Sequence, residues 1–191
     1  MDRRAFLLTG MALAGCAPRG ADNLVEPSED EIAELAQAIA GLRDDVQGDE
    51  ATRAARIAFT YAAQLAEQYE IEDGPITHNR KVNRGEKPRG LCWHWAEDME
   101  ARLDLEGFAS LEMERAIANG QSPILLAHST AVIVPKGAPM EAGIVLDPWR
   151  YGGQLFWDTV AGDTRYRWRP REVVLAEKRG RLLTGQPAND L

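Results

Sequence analysis

The spacing of hydrophobic residues along this sequence changes from helical to strand-like at one point, near Gly107. Before that point, apolar residues recur every three or four positions, which is the pattern of amphipathic helices. After it, short apolar runs alternate with Gly and Pro turns, which is the pattern of strands. Helices grouped before strands are typical of an α+β domain with a mainly antiparallel sheet. We therefore expect one such domain over residues 28–191.

The first half contains start and stop signals that divide it into helices. Ser28 followed by Glu31 is a capping-box pattern, which predicts the beginning of a helix. The Gly48-Asp49 pair interrupts the period, and a very alanine-rich stretch follows it. Between Asp73 and Gly90 there is no period, so that segment is expected to be a long loop. The predicted helices cover 28–44, a long stretch after the Gly48-Asp49 break that contains Ile57, Tyr61, Leu65 and Tyr69, and 92–103.

The second half is expected to supply the strands of the sheet. Its apolar runs are bounded by Gly and Pro, as strands in compact domains usually are. The expected strands are 108–117, which is the most ambiguous, 124–134 and 144–147. A further hairpin is expected around Gly162-Asp163, between GGQLFWDTV and TRYRWR. A last short helix is expected after Pro170, through Ala176.

The N-terminal segment has the layout of a bacterial export signal. Arg3-Arg4 precedes a short apolar run, and small residues precede a cysteine. The ending Leu13-Ala14-Gly15-Cys16 resembles the lipobox of bacterial lipoproteins. The Arg3-Arg4 pair also resembles the start of a twin-arginine signal.

This resemblance implies that residues 1–15 are removed and that Cys16 becomes a lipid-modified N-terminus. Residues 16–27 would then include a polar tether to the membrane. Because Ala17 follows the anchoring cysteine, we expect the periplasmic face of the outer membrane. Cys92 would be left as the one free thiol, in an oxidising compartment where an unsheltered thiol is open to damage.

The charge of the chain disfavours a nucleic-acid partner. At pH 7 the formal net charge is −8, so a polyanion would have to be held by a local basic patch. A group of basic residues does fall within 73–90, where it is either a surface that steers an acidic ligand or a solvated face. They are Arg80, Lys81, Arg84, Lys87 and Arg89.

Cys92 begins a predicted helix, and three histidines are candidates to assist it. His94 lies two residues along the same helix, so its side chain should point to nearly the opposite side. His78 falls in the expected loop, where its position is open. His128 opens an apolar strand, and an imidazole on the covered face of a sheet needs a polar partner.

Asp147 is the partner that we expect for His128. It ends the next strand, and the two side chains become cross-strand neighbours if these strands pair through the turn around Gly137. The helix dipole at Cys92 favours a thiolate. His128 would take and return the thiol proton, and Asp147 would orient the imidazole. This predicts a Cys-His-Asp triad for acyl transfer from a peptide, protein or amide substrate.

The order Cys92-Trp93, His128, Asp147 resembles the papain-like superfamily, and most closely its bacterial transglutaminase-like branch. The match covers about residues 85–158. It implies an α+β fold whose cysteine helix packs on the sheet, with the roles of nucleophile, base and orienting acid. The sequence departs from the papain pattern at Glu86–Arg89, which contains no glutamine for the oxyanion.

The oxyanion donor is therefore left open. The backbone N–H of Cys92 is one candidate. A side chain from the preceding loop would be the second, and three positions offer one: Asn79, Asn83 and His78. Trp93 and Trp149 are candidates for the walls of a substrate cleft, with core packing as the alternative.

Three other interpretations remain open. Cys92 lies on an apolar helix stripe, so it is an inert core thiol in the simplest alternative. The chain is then a non-catalytic envelope lipoprotein that uses the same fold for binding or scaffolding. A metal site from Cys92, His94 and His128 is disfavoured because Cys-x-His on a helix directs its side chains apart. No metal and no cofactor are expected.

Overall fold

The computed structural model describes residues 26–122 and 124–183, so the expected signal, Cys16 and most of the tether lie outside the described residues. Within them the chain forms five α-helices and a five-stranded antiparallel sheet, which confirms the α+β class. The helices are α1 (Glu29–Ala40), α2 (Gly48–Gln68), α3 (Pro75–Asn83), α4 (Cys92–Asp104) and α5 (Arg171–Leu183). The strands are β1 (Leu111–Ala118), β2 (His128–Pro135), β3 (Ile144–Tyr151), β4 (Gln154–Thr159) and β5 (Arg169–Pro170).

The sheet has the strand order β4-β3-β2-β1-β5, with every neighbouring pair antiparallel. Its central strand, β2, is buried on both faces because alternate side chains point in opposite directions. Ala131 and Ile133 pack in the core formed with α1, α2 and α4. Val132 and Val134 pack on the other face with Trp168.

The capping box predicted at Ser28 begins α1. Glu31 Oε2 accepts from the Ser28 N–H at 2.8 Å, and Ser28 Oγ accepts from the Glu31 N–H at 3.2 Å. The helix ends at Ala40, before the predicted residue 44, and Gly41 is its C-cap residue, whose N–H donates to Gln37 O at 2.9 Å. None of the helices in the described part of the chain is long and apolar enough to span a membrane.

The helical layer packs closely because the buried face of α2 consists mainly of small side chains. Small side chains let a neighbouring helix approach, and α1 lies against this face. The fully buried alanines of α2 are Ala51, Ala54, Ala55, Ala58, Ala62 and Ala66. α4, whose predicted end at Leu103 is one residue short, packs between this layer and β2.

The loop predicted over 73–90 was wrong, because it contains α3. Gly74 precedes the helix and Pro75 occupies its first turn, where the missing N–H of proline has no cost. His78 is the one buried residue of α3, and its Nε2 lies 2.8 Å from Arg89 O. A helix with so narrow an apolar face depends on tertiary contacts, and periodicity alone does not predict it.

The strand boundaries also differ from those expected. The segment 124–127 is outside β2, with Ile124 88% exposed, so the predicted strand 124–134 is too long at its start. β1 begins at Leu111 rather than Phe108. β3 continues past Asp147 to Tyr151, with an irregularity in its pairing to β4 between these two residues.

The hairpin expected around Gly162-Asp163 was wrong. β4 pairs with β3 through a turn at Gly152 and Gly153, whose φ values of 64° and 108° favour glycine. β5 pairs instead with β1, at the opposite edge of the sheet. Asp163 is bound by Arg150 of β3. After it the chain continues to β5 and does not return along β4. The helix after Pro170 is also longer than expected, extending to Leu183.

Candidate active site

Cys92 is the first residue of α4, at the point where this helix meets the start of β2. Its side chain is largely buried, and Sγ lies 3.8 Å from Ala127 O. Gly90 has φ +120°, and a Cβ there would lie 2.3 Å from His78 Nε2. The backbone before Cys92 therefore requires glycine, and its contact with His78 fixes where α4 begins.

His94 does not serve the thiol, as its position on the helix predicted. Its Nδ1 accepts hydrogen bonds from the N–H groups of Gly90 and Leu91, at 3.1 and 3.2 Å. Burial, with the nearby charge of Arg89, lowers the pKa of His94 and keeps the ring in the neutral form that these bonds need. His94 thus stabilises the backbone that presents Cys92.

His128 and Asp147 are in contact. His128 Nε2 lies 2.7 Å from Asp147 Oδ2, and the two side chains are 2% and 1% exposed. The pairing of Ala131 with Leu146 places Asp147 diagonally across from His128 rather than directly opposite. The two residues are therefore cross-strand neighbours as expected, at a diagonal separation that their side chains can still bridge.

The charges around His128 favour its protonated form. Burial alone would lower its pKa, but the charge and hydrogen bond of Asp147, with a contribution from Cys92, raise it to about 9. Among the described residues, the buried Nδ1 of His128 has no hydrogen-bond partner. One ring nitrogen thus faces the carboxylate, and the other remains for the sulfur.

Aromatic rings enclose the imidazole and restrict its orientation. The ring centroids of Trp149, Tyr166 and Trp168 lie 4.6, 4.7 and 5.3 Å from that of His128. Such packing keeps water from the His128–Asp147 bond and strengthens it electrostatically. Trp149, expected as a cleft wall, packs on His128 and donates from Nε1 to Asn79 Oδ1 at 3.0 Å.

Arg150 is hydrogen-bonded to Asp147 and in turn binds Asp163. The sequence analysis assigned neither residue to the site. Arg150 donates from Nε to Asp147 Oδ2 at 3.0 Å and from its backbone N–H to Oδ1 at 3.2 Å. Its Nη2 donates to Asp163 Oδ2 at 2.6 Å, and Trp168 Nε1 donates to the same oxygen at 2.9 Å. Two buried carboxylates thus share one guanidinium, which leaves a negative charge to be balanced by protonated His128.

Cys92 lines a cleft of about 390 Å³ between α3, α4, the start of β2 and α5. Three of the expected residues, Asn79, Asn83 and Trp93, also line this cleft. His78 lies elsewhere, buried against Arg89 O. Of the expected oxyanion donors, Asn79 is the one whose amide is oriented by a partner, since Trp149 occupies its oxygen.

The basic residues of 73–90 are mostly paired. Lys81 lies 2.5 Å from Asp73, Lys87 lies 3.1 Å from Glu70, and Arg89 lies 2.9 Å from Asp98. The cations that line the cleft come from elsewhere: Arg115, Arg171 and Lys178. The sequence signal that pointed to a basic loop therefore missed the cations that line the cleft with Cys92.

The described residues bring no three His, Cys, Asp or Glu side chains together as a metal-binding group. What they bring together is a thiol at a helix start, an imidazole and a carboxylate, beside a cleft. That set is suited to nucleophilic chemistry at a carbonyl carbon. In comparisons with known proteins, no family model, no curated protein and no solved structure matches this chain.

Proposed function

We propose that this chain is a thiol hydrolase that transfers acyl groups through a thioester on Cys92. His128 would act as the acid and base, and Asp147 as the orienting group. One observation carries the proposal: His128 Nε2 is bound to buried Asp147 at 2.7 Å, while the buried Nδ1 has no partner among the described residues. Cys92 contributes to the raised pKa of His128, so the ring has a carboxylate on one nitrogen, a second nitrogen left for proton transfer and a thiol nearby.

The reaction starts from an ion pair of the Cys92 thiolate and protonated His128 in this mechanism. With its pKa raised to about 9, His128 keeps its proton at neutral pH and can serve as the acid. The thiolate is the form of cysteine that attacks a carbonyl carbon.

The reaction then proceeds in two balanced steps. The sulfur of Cys92 attacks the carbonyl carbon, the C–N bond breaks, and the leaving amine takes the proton from His128 Nδ1. Water next gives a proton to that nitrogen and attacks the thioester, which releases a carboxylic acid and restores the ion pair. The net change is an amide plus water giving an acid plus an amine.

Stabilisation of the oxyanion is assigned to two donors. The N–H of Cys92 lies in the first turn of α4, where backbone donors have no acceptor within the helix. Asn79 is preferred over Asn83 and His78, because Trp149 Nε1 fixes its oxygen and leaves its NH₂ end as donor. Both residues line the same cleft.

We also propose that the fold is of the papain-like type, in its transglutaminase-like form. The chain order of nucleophile, base and acid supports this, as does the packing of α4 against β2. Asn79 would take the place of the absent glutamine. A crystal structure with a different connection between β2 and β3 would contradict this assignment.

The proposed location is the bacterial envelope, through a lipid on Cys16. Its support is the lipobox-like ending at Cys16, which lies outside the described residues. In a bacterial host, labelled palmitate should enter the full chain and the Cys92→Ala variant equally, but not the Cys16→Ala variant. Equal label in all three, or none in the full chain, would exclude the anchor.

Acylation by a small ester tests the enzyme proposal. p-Nitrophenyl acetate should acetylate Cys92 within the tryptic peptide 90–102, and water should then release the acetyl group. His128→Gln should slow acetylation by about 10²- to 10⁴-fold. Cys16→Ser, which removes the other cysteine, should leave the Cys92 adduct unchanged.

The same experiment can reject the proposal. If Cys92 resists both the ester and iodoacetamide at pH 6 until the protein is unfolded, the thiol is a core residue. The chain would then be a non-catalytic binding or scaffolding module of the envelope.

A further inference from the structure

The cleft beside Cys92 carries an excess of positive charge. Arg115, Arg171 and Lys178 line it, and Glu97 is the one acid among its described lining residues. Glu97 is already engaged by Arg89 at 3.3 Å. This runs against the composition of the chain, in which 30 acidic residues outnumber 22 basic ones.

Arg115 is the most buried of these cations, at 8% exposed. Its Nη2 donates to Trp93 O at 3.0 Å, and its Nη1 lies 3.6 Å from Glu100. Its Nε is buried and has no partner among residues 26–122 and 124–181. A buried guanidinium with one distant counter-ion is incompletely compensated, so it is suited to receive a further anion.

Arg171 adds to this excess. Burial and the charge of Arg171 both lower the pKa of Arg115, while Glu100 raises it, so the two arginines repel each other across the cleft. In the part of the chain that the structure describes, neither Arg171 nor Lys178 has a salt bridge or side-chain hydrogen bond. A bound anion would relieve this repulsion.

The cleft also has an apolar lining. Leu126, Ala127, Ile117 and Leu175 are among the residues that line it. Leu126 is 49% exposed, so this part of the lining is accessible to solvent. An occupant that suits both the apolar and the cationic lining residues has a hydrocarbon part and a negatively charged group.

We propose that the substrate of Cys92 carries a carboxylate next to the reacting acyl group, and that Arg115, Arg171 and Lys178 bind it. Arginine pairs with carboxylates through parallel N–H bonds, which also fixes their orientation. An acidic or C-terminal residue of a peptide has this chemistry. The inference rests on the proposed function, since it names the substrate class of the same site.

Two alkylating reagents test the charge preference without knowledge of the substrate. Iodoacetamide and iodoacetate both transfer their carbon to the Cys92 sulfur with loss of iodide, and only iodoacetate carries a carboxylate. Their rate ratio at Cys92 in the full chain is followed by mass spectrometry of peptide 90–102. Because both reagents need the same thiolate, a change in its population cancels in the ratio.

Removing two of the cations should lower the preference for iodoacetate. In the Arg171→Gln/Lys178→Gln variant, the iodoacetate-to-iodoacetamide ratio should fall about threefold or more. Arg179→Gln is the matched control, since Arg179 is exposed on the same helix and does not line the cleft. The wild-type ratio should also fall with added salt, because screening weakens exposed charges.

The outcomes separate this inference from the proposed function. An equal ratio in the wild type and the double variant, with Cys92 reactive toward iodoacetamide, would overturn the carboxylate preference alone. A Cys92 that reacts with neither reagent would overturn the proposed function and this inference together. Arg115→Lys gives a second measurement, with a lowered ratio expected because lysine lacks the planar fork.

Discussion

The two sides of the Cys92–His128 pair differ in how their charges are satisfied. Behind the imidazole, Asp147, Arg150 and Asp163 are all buried and joined by hydrogen bonds of 2.6 to 3.2 Å. In front of the thiol, Arg115 keeps a buried Nε without a described partner. The charges behind the imidazole are therefore paired within the protein itself, whereas the charge of Arg115 beside the thiol is only partly compensated.

This difference indicates that the paired charges behind His128 position its ring, whereas the cations of the cleft are suited to bind a ligand. A fully paired buried network fixes the geometry of its members, because any displacement leaves a charge uncompensated. Arg171 and Lys178, which have no ion pair within the described part of the chain, contribute no such rigidity and are available to a ligand. We therefore expect substitutions behind His128 to affect folding strongly and substitutions in the cleft to affect it little.

The largest effect is expected from Asp163→Ala. This change leaves Arg150 buried with Asp147 alone and removes the acceptor of Trp168 Nε1. Breaking a buried charge pair costs about 3–5 kcal/mol, so the free energy of unfolding in urea should fall by about that amount. Asp45→Ala removes an exposed partner of Arg43 and is the control, with nearly unchanged unfolding expected. Similar midpoints for the two variants would contradict the comparison.

The second effect concerns pH. Because the folded state raises the pKa of His128 to about 9, from 6.5, protonation stabilises the fold. This contribution is complete below pH 6.5 and is lost as the pH rises to about 9, and its total is roughly 3 kcal/mol. Urea unfolding of the wild type should therefore require less denaturant at pH 9 than at pH 6.5. In His128→Gln that decrease should be much smaller, and an equal decrease in both proteins would exclude His128 as its source.

An intermediate effect is expected at the backbone before Cys92. Gly90→Ala places a side chain at φ +120°, where its Cβ would lie 2.3 Å from His78 Nε2. Strain of this kind costs about 1–3 kcal/mol and displaces the start of α4. The free energy of unfolding should fall by that amount, and iodoacetamide should label Cys92 at a changed rate. Gly85→Ala, also at positive φ but with open space around it, is the control for the clash.

The smallest effect on folding is expected in the cleft. Arg171→Gln/Lys178→Gln should change the free energy of unfolding by less than about 0.5 kcal/mol, since neither side chain has a described ion pair. Urea unfolding at low salt measures this most sharply, because there the repulsion of Arg115 by Arg171 is least screened. A loss of several kcal/mol would show that these cations are structural.

The parts of the fold that the sequence predicted are those with local signals. The Ser28–Glu31 box correctly gave the start of α1, and the apolar stripe from Cys92 to Leu103 gave α4 nearly to its end. α3 was missed because its order depends on His78 meeting Arg89 O. The partner of β4 was missed because Gly152-Gly153 competed with Gly162-Asp163 as a turn signal.

The residues of the candidate site were likewise predictable only where the sequence signal was local. His128 and Asp147 were expected to be neighbours because one opens and the other ends an apolar strand in successive runs. Arg150 could not be assigned to Asp147, since residues three apart on a regular strand point to opposite faces. The irregularity of β3 between Asp147 and Tyr151 accompanies the hydrogen bonds that join Asp147 and Arg150. Irregularities of this kind change the direction in which side chains point, and no local sequence pattern predicted this one.

By itself, the sequence determined the helix-then-strand order, the helix start at Cys92 and the residue types available for chemistry. Those properties depend on neighbours within a turn or two of chain, and their signals are local. Only the tertiary structure decided which nitrogen of His128 meets Asp147 and that Arg115 Nε is buried without a partner among the described residues. The reason is physical: charge compensation depends on distances between segments far apart in sequence, and packing of the whole domain sets those distances.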